Sequence, residues 1–424
     1  MAYSDHGLRE IRYLDDSTTF PTAFTDADSA TWDAGSKLRV FDLDFTELKY
    51  ASIPDASMQT QFGGRNAPIP TLDGGQEQMM LKFKMHLPGG SSSTSPGTVA
   101  TLMGLVMGGI KSPNPITDAA EAASTTTAIV ATAHGQVVGQ ASLFGTLADD
   151  KADGKVGSIL TRTDDDNYVL AMALPGAPVN GDAIKNGHSL WIDPTAESYQ
   201  SFMLPGAYAG SGGTDNSNCI NIIGCSGTLA FGGFAAAEKP WVEFSFMVGR
   251  WRNEPYATTG AFTPAVSPLG DDPAGDRGIG SLTIGDAGTT TRSTVQAGDI
   301  EIDLGMALVP IEDKQGVNGI GGWLKVPSET GPTISCTAYW GDNPGRRNDF
   351  LAGTQKQVMV VLGHVAEETV AFELPLAHYA ADQPEIDFNG KSGQRLSLIG
   401  KALAAAESTA DLRLAAADFR AHLL

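Results

Sequence analysis

The run Gly224-Cys225-Ser226-Gly227-Thr228 comes closest in this chain to a nucleophile motif. A nucleophile elbow needs G-x-S-x-G on a sharp strand-to-helix turn that thrusts the serine toward substrate. Here the fifth position is threonine and the run leads into a strand, so no catalytic turn is expected there. No G-x-x-x-x-G-K-[ST] loop occurs, and Gly278-Ile279-Gly280 and Gly319-Ile320-Gly321-Gly322 lack the strand-before, helix-after context that would hold phosphate. They read as turns. Asp164-Asp165-Asp166-Asn167 resembles the start of a calcium loop, but the glycine of the sharp turn is missing and the twelfth position is Pro175, not a bidentate glutamate. A solvated turn is the expectation.

The seven histidines, His6, His86, His134, His188, His364, His378 and His422, show no H-x3-H or H-E-x-x-H spacing. Cys219, Cys225 and Cys336 match no zinc or redox spacing and read as buried free thiols. Arg250-Trp251-Arg252 and Trp340 to Arg347 mix aromatic and basic residues that could stack bases, yet they lie beside strand ends where contacts between subunits are the commoner use. The expectation from the motifs is therefore no catalytic residue, no metal and no cofactor. A β-rich hydrolase whose site assembles from distant Asp, Glu or His residues stays open as an alternative.

Charge points the same way. The chain has 424 residues, and 28 Lys plus Arg against 49 Asp plus Glu give a formal net charge of −21. Binding to phosphate backbones by counterion release needs the opposite sign, whereas an acidic wall repels nucleic acid, as does the surface of many soluble proteins. The polar start, Met1 to Glu10, has no basic stretch followed by an apolar one, and no apolar run of about 18 residues occurs. Neither secretion by a signal peptide nor a membrane-spanning segment is expected.

The elements that would position any site read as short strands. The 50 glycines and 23 prolines fall between alternating segments. Met79 to Leu87 sets Leu81, Phe83, Met85 and Leu87 against Lys82, Lys84 and His86, and Trp241 to Arg250 sets Val242, Phe244, Phe246 and Val248 against Glu243 and Ser245. Gly224 to Phe231 is the expected hairpin partner of the latter. Asp299 to Leu308 alternates Ile300, Ile302 and Leu304 with three carboxylates, Asp299, Glu301 and Asp303. Gln357 to Leu362 and Val370 to Leu374 suit a hairpin. Thr98 to Met107 reads as a helix between Pro96 and Gly108-Gly109. For Lys401 to Leu424 the composition predicts a helix first and a strand last.

The spacing predicts a first β domain from 1–124 and 194–255, a small inserted β module at 125–193, a linker at 256–279 and a second β domain at 280–424. The fold class expected is mainly β with few helices.

The order of these features resembles the tail tube (major tail) proteins of long-tailed bacteriophages. In that layout an extended arm and strand, a long loop, an amphipathic strand and a helix follow one another, slots filled here by Phe41 to Tyr50, Ala51 to Gly75, Met79 to Leu87 and Pro96 to Gly109. A hairpin and an aromatic strand follow at Ile220 to Phe231 and Trp241 to Trp251. The second half ends similarly, with Val358 to Leu374, Leu376 to Tyr379, Pro384 and a closing Asp418-Phe419-Arg420. The resemblance implies tandem tail-tube-type β-barrel or sandwich domains in a virion protein made in the bacterial host cytoplasm. It implies partners too: copies of itself in trimeric rings with pseudo-sixfold symmetry, or hexameric rings, stacked into a tube; other phage tail proteins; and double-stranded DNA passing without specific binding.

Under that resemblance Phe62, Gly63, Gly64 and Arg65, in a loop read as flexible and unpaired, are the candidate ring-stacking residues. Asp299, Glu301 and Asp303 are candidates to face the lumen, with an outer solvated face as the alternative. Lys82 and Lys84 would oppose simple repulsion if their strand faced the lumen instead. A capsid decoration or host-binding protein is the other class of function the β module would suit.

Overall fold

The computed structural model describes residues 9–16, 19–21, 23–24, 36–46, 48, 51–54, 71–75, 79–90, 93–145, 155–205, 219–234, 238–254, 280–289, 293–317, 320–329, 331–339, 346–363, 365–380, 385–388, 391–401 and 409–424. The fold is mainly β with few helices, as the alternation predicts.

Among the described residues, six antiparallel strands close a ring: Arg9–Asp15, Ser36–Asp44, Met79–His86, Gln200–Pro205, Cys219–Gly232 and Trp241–Val248. Around the ring they run first, second, third, sixth, fifth, fourth, and the fourth pairs back onto the first. Strict alternation drives this closure. Met79–His86 buries every second side chain, and its register places Leu81 opposite Phe246 and Phe83 opposite Phe244. Phe83 stacks on Phe244 at 5.2 Å between ring centroids, and Phe202 meets Phe246 at 4.7 Å. Each buried aromatic contributes roughly 1.5–3 kcal/mol through the area it takes from water.

The second half repeats the order. Its strands are Gly280–Asp286, then Ser293–Val295 continuing as Ala297–Asp303, then Thr333–Tyr339, Lys356–Leu362, Val370–Tyr379 and Lys391–Gly400. They pair first, second, third, sixth, fifth, fourth and back to the first. Only the short Ser293–Val295 ladder joins second strand to first, so this ring is closed less fully.

The correspondence extends to single residues. In the first half Gln200 pairs with Cys225 and Phe202 with Ile222; in the second Lys356 pairs with Ala377 and Val358 with Leu374. Both ladders thus carry a bulge of the same kind at the same place, where two residues of the fifth strand oppose one of the fourth. In each half an antiparallel hairpin leaves between the second and third strands: Ala51–Pro54 with Thr71–Gly75, and Met306–Val317 with Ile320–Pro327. A helix follows the third strand in each, Thr98–Met107 and Arg346–Ala352, and both end at a glycine with positive φ, Gly108 (φ 108°) and Gly353 (φ 64°). The left-handed conformation is open to glycine without the Cβ clash other residues meet. A short further strand flanks each fifth strand, Arg250–Glu254 in the first half and Arg420–Leu423 in the second.

The halves share one apolar core. Phe231 meets Phe372 at 4.8 Å, and Phe419 lies 6.2 Å from the same ring. The C-terminal segment forms the helix Ala410–Ala416 and the strand Arg420–Leu423, helix first and strand last as expected. That strand pairs on one edge with Val370–Tyr379 and on the other with His188–Ile192 of the first half. It therefore stitches the two halves into one sheet.

The inserted module is a six-stranded barrel built from Thr117–Ala119, Ala128–Val130, Ala141–Gly145, Lys155–Arg162, Asn167–Leu170 and Ala183–Asn186. Its end strands are linked by the Glu121 N–H donating to Val130 O at 2.8 Å. It has its own core around Phe144, Ile159 and Tyr168. The barrel runs from 117 to 186, earlier at both ends than the 125–193 that composition suggests. Residues 117–119 show no apolar alternation, whereas His188–Ile192 is buried throughout and belongs to the main sheet. Asp299 to Leu308 is not one strand, since the chain turns at Gly305 (φ 60°). Gly224 to Phe231 pairs with Trp241–Val248 as expected, but as part of a longer, 14-residue strand that serves two neighbours in succession. The expected 256–279 linker lies outside the described residues.

Candidate functional site

Phe62, Gly63, Gly64 and Arg65 lie outside the described residues. The two flanks of their loop are paired, Ala51 opposite Gly75 and Pro54 opposite Thr71, so the unpaired reading does not hold for its base. Asp299, Glu301 and Asp303 are brought together on one exposed face, with Ile302 buried behind them. Their charge is partly offset: Arg395 Nη2 donates to Glu301 Oε2 at 2.7 Å, and Ser335 Oγ donates to the same oxygen at 3.2 Å. The Asp303 carboxylate accepts from the Gly305 N–H at 2.9 Å. On the strand Met79–His86, Lys84 Nζ lies 3.3 Å from Asp42 and 3.6 Å from Glu243 and sits over the Trp241 ring. The first face stays net acidic, whereas the second pairs its lysine with two carboxylates.

Cys225 and Ser226 are buried inside their strand, and burial pushes the Cys225 thiol well above its ordinary pKa. All three cysteines are buried, and none is in a disulfide. Asp164 Oδ1 accepts from the Asp166 N–H at 2.9 Å and from Asn167 Nδ2 at 2.8 Å, which is the turn expected.

Two arrangements were not foreseen, and both lie where the halves meet. The first is the docking of the second hairpin on the first ring. Its inner face is Leu308, Ile320, Trp323 and Lys325; its outer face leaves Val309, Ile311 and Leu324 exposed. Trp323 packs among Tyr199, Ile320, Phe20 and Met247, and its indole N–H donates to Gly224 O at 2.9 Å. That carbonyl belongs to the bulge of the fifth strand. Lys325 Nζ donates to Leu105 O, in the last turn of the helix Thr98–Met107, at 3.3 Å. There the helix carbonyls present partial negative charge.

Burial lowers the Lys325 pKa from 10.5 to about 8, with Asp193 acting against the shift. Between those two values the unfolded chain holds more protons, so stability rises with pH across that window and the charged lysine is a liability below it. Lys325→Met, which keeps the length and removes the charge, is expected to melt above wild type at about pH 7 and to lose that advantage near pH 10. Paired melts at the two pH values check this. A pH-independent difference would show that packing alone sets it.

The second arrangement surrounds Glu373, which is fully buried in the strand Val370–Tyr379. Ser158 Oγ and Gln357 Nε2 each donate to its Oε1 at 2.6 Å. Arg420 Nη1 donates to Oε2 at 3.1 Å, and His422 Nε2 approaches the same oxygen at 3.2 Å. A carboxylate only accepts, so Nε2 carries the proton and the Ser189 hydroxyl donates to His422 Nδ1 at 2.9 Å. Ser189, His422 and Glu373 follow one another in the order of a hydrolase relay. The ring nitrogens are exchanged relative to that relay, Arg420 neutralises the carboxylate, and Ser189 is sealed between two strands. What the cluster does is join the inserted barrel (Ser158), the first half (Ser189), the second half (Gln357, Glu373) and the C-terminal strand (Arg420, His422).

One sequence signal pointed here. Glu373 stands alone in the apolar run Val370-Ala371-Phe372-Glu373-Leu374, and a buried carboxylate requires a cationic or donor partner. The buried side chains of both rings form one packed apolar core. No helix among the described residues is long and apolar enough to cross a membrane. No protein-family model matches the chain, and no curated protein sequence matches it.

Proposed function

We propose that the chain is a structural subunit of a bacteriophage tail tube, a virion protein that polymerises as stacked rings around a lumen for the viral DNA. The observation that carries this reading is the duplication: two rings of the same strand order, with the hairpin of the second seated on the body of the first. A directional contact between non-identical patches propagates from unit to unit and closes into a ring when the rotation allows. Two equivalent halves per chain suit trimeric rings with pseudo-sixfold symmetry.

A net charge of −21 favours a lumen that DNA crosses without adhering. Asp299, Glu301 and Asp303 are the candidate lumen residues and Phe62 to Arg65 the candidate stacking residues; other tail proteins would start and cap the tube. A second reading, a capsid decoration or host-binding module, draws on the inserted barrel, which has its own core and no counterpart among the described residues of the second half.

Negative-stain electron microscopy of the purified chain across a concentration and salt series tests the proposal. Uniform hollow rings or tubes are expected, with threefold end-on averages. A persistent monomer, with added tail components too, would overturn it, and glycan binding without polymerisation would favour the second reading.

A further inference from the structure

Where the inserted module overhangs the second ring, a cleft of about 290 Å³ is lined by Lys155, Ala173, Leu174 and Pro175 on the module's side and by Ser281, Thr283 and Thr294 on the ring's. That volume is at the small end of small-molecule sites, which gather where structural units meet. Alternation explains the floor. Leu282 and Ile284 point into the core, so Ser281 and Thr283 face outward, and Thr294 lies directly opposite Thr283. On the other flank, Val361 stands beside Ser281 and Met359 beside Thr283, both buried against Leu143, Val156 and Met172 of the module. The outer face of the sheet thus changes from apolar to hydroxyl-bearing at the module's edge.

The first ring supplies a contrast. When the second strands are aligned on their positive-φ aspartates, Asp42 (φ 49°) and Asp299 (φ 49°), Lys37 matches Thr294, and their partners Arg12 and Thr283 match in turn. One half therefore sets two cations where the other, beneath the module, sets two hydroxyls.

Two polar groups define what fits the cleft. Lys155 forms no ion pair among the described residues, whereas Lys84, Lys111, Lys185 and Lys356 each meet a carboxylate. A carbonyl only accepts, so the one proton of Thr283 Oγ1 goes to Met359 O at 3.3 Å, and that hydroxyl oxygen has only lone pairs left to offer. An occupant that satisfies both carries a negative group and hydroxyl donors, while Ala173, Leu174 and Pro175 present an apolar wall to C–H surface. We propose that the cleft binds a single sugar unit bearing an acidic group, a carboxylate or a phosphate, with the acid at Lys155 and a ring hydroxyl donating to Thr283. Ser281 and Thr294, which both donate and accept, take its other oxygens. The inference goes beyond the assembly reading and applies to a lone chain and a polymer alike.

Saturation-transfer NMR and calorimetry on the intact chain test it with glucuronate, glucose-6-phosphate, glucose and inorganic phosphate. Saturable binding is expected of at least one acidic sugar, and which one binds tells a carboxylate ligand from a phosphate one. Glucose lacks the charge and phosphate lacks the ring, so each should bind about tenfold more weakly or worse. Lys155→Met should weaken the acidic sugar by about tenfold or more, Lys155→Arg should retain it, and Thr283→Val should weaken it several-fold, with melting curves showing that each variant is folded. In the unchanged chain, nuclear Overhauser contacts from the bound sugar should reach the Leu174 methyls. Binding of neither acidic sugar, equal binding of phosphate alone, unchanged affinity in Lys155→Met, or contacts that miss Leu174 would each overturn the site. Polymerisation is read separately by microscopy, so either inference can fail without the other.

Discussion

Arg420→Ala is expected to cost about 3–5 kcal/mol of stability, because it leaves the Glu373 carboxylate buried without the cation that balances it. The guanidinium also donates to Leu414 O at 2.9 Å and to Ala415 O at 2.7 Å, so the last turn of the C-terminal helix loses its anchor as well. Adding Glu373→Gln should recover most of the loss: the amide oxygen still accepts from Ser158 and Gln357 and carries no charge to bury. A loss below about 1 kcal/mol in urea titration, or no recovery in the double variant, would remove the cluster from its role as the junction's anchor.

The same cluster fixes an acid limit. Burial drives the Glu373 pKa upward, but Arg420, His422 and Ser158 together outweigh it and hold the group at about 2, below the ordinary 4.5. Its contribution is therefore present above about 4.5 and is lost as pH falls toward 2. Burial lowers the His422 pKa below 6.5, so the unfolded chain also takes up that proton first and stability falls as pH drops below 6.5. Both act in one direction. The double variant should lack the Glu373 part of this decline.

How much of this could be read in advance depended on whether the cause was local. Met79–His86 and Trp241–Val248 were legible because each strand carries its own alternation, and Thr98–Met107 because proline and glycine punctuate both ends. The equivalence of the halves was only partly legible. Element order suggested it, but the matching bulges at Gln200/Cys225 and Lys356/Ala377 exist only in the pairing of distant strands. No residue type marks them: one fifth strand has Ile223-Gly224 there and the other Pro375-Leu376.

Of the candidate site, the carboxylate face of Asp299, Glu301 and Asp303 came from alternation and does form, though the sequence could not show that Arg395, 94 positions from Glu301, would pair with it. The second hairpin was missed for a similar reason. Met306–Val317 mixes Pro310, three acidic or amide side chains and a lysine among its apolar residues. Only docking against Tyr199 and Met247 decides which face is inner. Glu373 was overlooked as well, although a lone carboxylate in the apolar run Val370 to Leu374 is a signal that a partner must be present.

Trp323→Ala is expected to release the second hairpin without unfolding the rings. Removing a buried indole costs about 3–5 kcal/mol. Here it also leaves Gly224 O without its donor and loosens the neighbouring Trp323 backbone bond to Tyr199 Oη. The hairpin is a two-stranded sheet of its own, joined to the first ring by side chains and not by a ladder. The loss should therefore appear as local opening. Amide exchange in Met306–Val317 and Ile320–Pro327 should speed up by about a hundredfold or more, since every 1.4 kcal/mol is a factor of ten, while Met79–His86 and Trp241–Val248 keep their protection. Uniform acceleration through the molecule would instead make Trp323 part of the common core.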